Sequence, residues 1–124
     1  MLNMIAVFLG GGIGSVLRYL ISETCLRLYS CTLPSHTLAI NFAGSLLLGF
    51  LVNLFSQKLG VNQQLQLFLT VGFCGGFTTF STFSLESLNL LKSGKVFEFF
   101  CYIILSVILC ILGAVIGAYS VKYV

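Results

Sequence analysis

Gly72-Phe73-Cys74-Gly75-Gly76-Phe77-Thr78-Thr79-Phe80-Ser81-Thr82-Phe83-Ser84 lies inside an apolar span and reads as a membrane helix broken near its middle. Gly72, Gly75 and Gly76 lower helix stability, whereas Thr78 and Thr79 are good caps for a helix restarting after them. The first half then ends in carbonyls of partial negative charge, a natural cation site, and the second begins with N–H groups of partial positive charge. Unpaired backbone is expensive in hydrocarbon, so such an interruption usually marks an ion site. A continuous helix softened by glycine remains the competing reading.

The composition around this stretch sets the class. Of 124 residues, 58% are hydrophobic and 7% charged, and the mean hydropathy is +1.09, which leaves too little polarity to wet every side of a soluble domain. Four apolar spans follow, at about residues 2–21, 37–55, 65–91 and 96–121, each near the ~20 residues that cross a bilayer. The predicted fold is therefore an all-α integral membrane protein, a single transmembrane domain over residues 1–124 in the lipid bilayer. No basic leader precedes the first apolar run, so that run is read as retained structure.

Charge and cysteine content exclude several functions. The six Lys and Arg residues form no block of the kind that binds nucleic acid, so no nucleic-acid partner is expected. Five cysteines without a Cys-x-x-Cys spacing suggest neither a disulfide framework nor a zinc site. His36, the only histidine, has no nearby ligand cluster and reads as an interfacial residue at the start of the second span. No catalytic apparatus is visible, and no enzyme is expected. Four crossings place Lys58 and Lys122 on one side and Arg18, Arg27, Lys92 and Lys95 on the other, a bias small enough to permit insertion in both directions. An antiparallel dimer and a single weakly specified topology both fit. Four short helices scarcely enclose a polar pathway, and two copies supply eight.

The other spans carry polar and small residues at one-turn spacing. Gly10 with Gly14 and Gly11 with Ser15 let another backbone come close in the first span, and Arg18 follows one turn later, either snorkelling or held by protein. Thr37, Asn41, Ser45, Gly49 and Asn53 form a stripe on the second, where the Asn41 amide suits either an anion or a neighbouring helix. Phe77, Phe80 and Phe83 recur every third residue with Thr79 and Thr82 between them, and Glu86 follows. That spacing suits simple packing, while the electropositive ring edges also suit a small anion. Tyr102, Ser106 and Cys110 form a polar track on the fourth span, followed by Gly113 and Gly117.

Taken together, Gly11-Gly12-Ile13-Gly14-Ser15-Val16-Leu17-Arg18-Tyr19, Asn41-Phe42-Ala43-Gly44-Ser45 and the stretch from Gly72 to Phe83 resemble the CrcB/Fluc fluoride channels of microbes, over essentially the whole chain. The resemblance implies a dual-topology antiparallel homodimer in the bacterial plasma or inner membrane. It implies passive, selective fluoride export and a structural sodium ion (Na+) at the dimer centre. By matching motif, the Gly75 and Thr78 carbonyls would hold sodium, and Phe80 and Phe83 would face fluoride. Asn41, Thr79, Thr82, Tyr102 and Ser106 would line its path, Glu86 would lie near a pore end, and Arg18 would have a structural or vestibular role. Cys110 stands where a hydroxyl residue is expected in the track, and a thiol is the poorer donor. A dual-topology multidrug exporter and a structural membrane subunit are the alternatives. The exporter would need a carboxylate deep in the first helix, and Glu23 lies at that helix's end.

Overall fold

A computed structural model describes residues 1–28, 33–58 and 60–121; Cys31 and Lys122 lie outside the described residues. The helices are α1 (Leu2–Leu28), α2 (Ser35–Gln57), α3 (Gln63–Leu67), a π-helical run (Phe68–Cys74), α4 (Gly75–Phe77), α5 (Phe80–Lys92) and α6 (Val96–Ser120). Among the described residues, four segments are long and apolar enough to cross a membrane: Leu2–Leu28, Ser35–Gln57, Gln63–Lys92 and Val96–Ser120. The protein is an all-helical, multi-pass membrane protein.

The first helix runs seven residues beyond its expected end. Nothing in Ser22–Leu28 breaks it, Thr24 Oγ1 donates to Leu20 O at 2.7 Å, and Arg27 pairs with Glu23 one turn back at 2.5 Å. At 1.5 Å per residue its 27 residues reach ~40 Å, longer than a ~30 Å hydrocarbon layer, which places the Glu23–Arg27 pair in the wet interface. α2 starts after Pro34, where a missing N–H and a fixed φ suit a helix start. Asn62 caps α3 by accepting from Gln64 N at 2.8 Å. Gly94, at φ 74°, makes the turn from α5 to α6, a backbone region that glycine occupies without a Cβ penalty.

Glycine governs how the helices meet. α6 lies along α2, and at Gly117 an added Cβ would run into Leu46 O, 2.8 Å from Phe50 N. α1 lies along the third span, and a Cβ at Gly14 would strike Phe73 O and stand 2.8 Å from Phe77 N. Both helix pairs therefore approach backbone to backbone, the small-residue packing that replaces hydrophobic drive inside a bilayer. Gly72 and Gly76 answer from the third span against Val7 and Gly11, so they are packing residues that stay helical. Large apolar side chains of α1 and α6, such as Phe8, Ile13, Ile108 and Ile111, face outward, as a lipid-solvated surface requires.

Candidate ion pathway around Thr78 and Thr79

Within Gln63–Lys92 the helical torsions lapse at two residues. Thr78 has φ −80° and ψ 160°, Thr79 has φ −152° and ψ 120°, and the flanking α4 and α5 end at Phe77 and start at Phe80. The lapse lies beyond the glycines because Gly75 keeps helical torsions and Gly76 remains within α4, while Asn41 of α2 supplies what the backbone gives up at Thr79. Thr79 N donates to Asn41 Oδ1 at 2.7 Å, and Asn41 Nδ2 donates to Thr79 O at 3.0 Å. One side chain thus satisfies both peptide groups of an extended residue within a membrane span. Of the two uses foreseen for the Asn41 amide, the contact to another helix is the one present.

The neighbouring groups are reassigned in the same way. In a continuous helix Phe80 N would return to Gly76 O; here Arg18 Nε donates to that carbonyl at 3.1 Å and Ser15 Oγ at 3.3 Å. Arg18 is therefore held by protein, not carried out along its stem to the interface. Thr79 Oγ1 accepts from Thr82 N at 3.2 Å as the cap of α5, and it donates to Thr82 Oγ1 at 3.0 Å. Thr79 N is engaged by Asn41, so the amide that would close a helical turn on Gly75 O is directed elsewhere. Nothing lies within 4 Å of where a Gly75 Cβ would stand.

A cavity of about 230 Å³ opens beside this segment, lined by Asn41, Ser45, Thr78, Thr79, Phe80 and Cys110 among others. Cys110 of the polar track thus reaches the same space as the Asn41–Thr79 clasp. From there an aromatic row leads along α5 to α6: Phe80 and Phe83 have ring centroids 5.3 Å apart at 48°, and Phe83 and Tyr102 5.2 Å apart at 48°. Tilted pairs of this kind turn ring edges toward their surroundings. Phe80 is 78% exposed, whereas Tyr102 is 1% exposed.

Tyr102 donates to Glu86 Oε2 at 2.7 Å, and the buried Thr37 donates to Glu86 Oε1 at 2.9 Å. His36 Nε2 lies 3.2 Å from the same Oε1. Glu86 thus joins α2, α5 and α6 at the end of the row. One turn beyond Tyr102 on α6, Ser106 Oγ is buried and has no hydrogen-bond partner among the described residues. The roles of Thr37 and His36 toward Glu86 were not legible in the sequence. Thr37 belonged to the polar stripe, but its partner is 49 residues away and was visible only as a polar group in need of one. Asn53, another member of the stripe, donates to Ala118 O and joins α2 to α6. Among the described residues no three His, Cys, Asp or Glu side chains gather as a metal site.

The family model described as CrcB-like protein, Camphor Resistance (CrcB), matches residues 5–118. A fluoride-specific ion channel FluC of Phocaeicola vulgatus is 50% identical over 117 residues, covering 94% of this chain and 96% of the relative. Another, from Bacteroides fragilis, is 46% identical over 122 residues, with 96% of this chain and 95% of the relative covered. A third, from Ruminiclostridium cellulolyticum, is 44% identical over 122 residues, covering 98% and 94%. With relatives matched along nearly their full length and the family model spanning most of the sequence, this chain belongs to the CrcB family.

Proposed function

We propose that the chain is a fluoride-selective channel through which cytoplasmic fluoride leaves passively, and not an enzyme, as the names of its relatives suggest. The observation that carries this reading is Ser106: a buried hydroxyl without a partner among the described residues, one turn from Tyr102 and one from Cys110, inside an apolar helix. Stranding such a group costs about 1–3 kcal/mol, and a small anion beside it supplies the missing acceptor. Fluoride holds its water tightly, so a pathway for it must replace that water with several weak donors. Ser106, Thr82 and the edges of Phe80 and Phe83 form such a set, with no fixed cation among them to trap the ion, while the Tyr102 proton is held by Glu86. Narrowness and hard oxygen donors then favour fluoride over larger halides.

The third span acts in this reading as a broken membrane helix at the centre of an antiparallel homodimer. Gly75 and Phe80 are exposed on the single chain although they flank a lapse in helical hydrogen bonding. Lipid does not solvate free carbonyls, so a second copy is the covering that fits. The Gly75 and Thr78 carbonyls suit a structural sodium ion, because the amide that would return to Gly75 O is engaged by Asn41 and the space beside Gly75 is open. When bound, the ion would supply positive charge that holds carbonyls of both copies together. The exporter alternative loses its only first-helix carboxylate, since Glu23 pairs with Arg27 near the end of α1.

Efflux from reconstituted liposomes, read with a fluoride-selective electrode, tests the proposal. Fluoride release set by voltage and gradient, with no proton requirement and little chloride release, is the expected result. Absence of release from correctly assembled protein would refute it.

A further inference from the structure

We propose that His36 is a positioning residue for the anion pathway: it shares the Glu86 carboxylate with Tyr102 and Thr37 and, on gaining a proton, cancels that carboxylate's charge at the mouth. The inference rests on the channel reading above. Its basis is the convergence of three helices. His36 Nε2 and Thr37 Oγ1 approach Glu86 Oε1 at 3.2 and 2.9 Å from α2, and Tyr102 OH donates to Oε2 at 2.7 Å from α6. The His36 and Glu86 side chains are 13% and 17% exposed, so water screens their interaction only partly.

The location gives the contact a consequence for an anion. Tyr102 lies tilted against Phe83 with ring centroids 5.2 Å apart, so the carboxylate lies at the end of the aromatic row that leads from the Asn41–Thr79 clasp. A carboxylate there repels fluoride and also fixes the Tyr102 proton away from it. Imidazole is the side chain that changes charge in the physiological pH range, and a protonated His36 would offset the carboxylate and compete with Tyr102 for it. Glu98 lies one turn before Tyr102 on α6 and Cys101 beside it, Lys92 and Lys95 are exposed around the turn after α5, and on α1 Glu23 pairs with Arg27 while Arg18 is held at Gly76 O. His36 is the one that makes an ion-pair contact with Glu86.

Single-channel currents in planar bilayers, with equal fluoride on both sides, provide the test, because neutral HF carries no current. One unit charge at roughly 7 Å through an effective dielectric of about 20–40 changes anion occupancy by roughly seven- to fiftyfold. Current should therefore rise by about that factor between pH 8 and pH 5.5. His36→Gln should hold the current at its high-pH level across the range, and His36→Lys should hold it high and flat. A flat profile in the parent, or the same slope in His36→Gln, would overturn the role of His36 while leaving the channel intact. No fluoride current from any assembled form at any pH would instead remove the channel reading, and this inference with it. Should His36→Gln fail to assemble, the parent profile and His36→Lys still decide the matter.

Discussion

Replacement of Asn41 by leucine tests whether the extended residues are held from α2. The side chains are of similar size, so the change removes the 2.7 Å and 3.0 Å bonds to Thr79 and adds no cavity for water to fill. Interhelical hydrogen bonds in membranes average ~0.6 kcal/mol, so two simple losses would cost ~1.2 kcal/mol. Thr79, however, has torsions from which neither peptide group can rejoin a helix, and stranding a buried backbone group costs ~1–3 kcal/mol. The stranding term is the larger, and with both groups stranded Asn41→Leu should lose about 2–6 kcal/mol. Asn41→Ala should lose less, because a water molecule can enter beside the cavity and replace part of the clasp. The measurement is reversible SDS-driven unfolding in mixed micelles, with amide exchange at Thr79 as the local probe. If Asn41→Leu stays within ~0.5 kcal/mol of the parent and Thr79 keeps its protection, the clasp does not hold this segment.

Other expectations follow from the same geometry. Phe80→Ile or Phe83→Ile should lower fluoride efflux by at least an order of magnitude while leaving assembly intact, since aliphatic groups lack the electropositive edge; normal efflux from both would remove the rings from the pathway. Gly14→Val should destabilise the fold by at least ~1–3 kcal/mol, because its Cβ would meet Phe73 O and Phe77 N, and a parent-like SDS midpoint would contradict that close approach. Replacing sodium by a larger monovalent cation throughout purification should weaken dimer association in detergent, as followed by subunit exchange. An unchanged exchange rate, with trapped sodium excluded by elemental analysis, would count against the Gly75 and Thr78 carbonyls as its site.

Much of the site was legible because periodicity in a membrane helix has few explanations. Asn41 stood out as an amide on an apolar helix, and Thr79 as a cap after glycine, although nothing in their spacing paired them across 38 residues. The glycines misled in detail. Gly72 and Gly76 weaken helices in general, but here α1 packs against them and the helix runs on to Phe77. The end of α1 was also misplaced, because a drop in hydropathy marks where lipid stops and not where a helix stops; the Glu23–Arg27 pair supports another turn in water. His36 was read as a bland interfacial residue since its partner lies on a distant helix.

Sequence alone determined the solvent and the count of crossings, since the energy of moving side chains from water to lipid is additive along the chain and independent of neighbours. It also determined which positions admit a close backbone, because only the smallest side chains allow it. Tertiary structure alone decided the partners: Asn41 with Thr79, Arg18 and Ser15 with Gly76 O, and Glu86 with Thr37, His36 and Tyr102. A hydrogen bond needs its two groups within about 3 Å, and that proximity is created only when helices distant in sequence pack side by side.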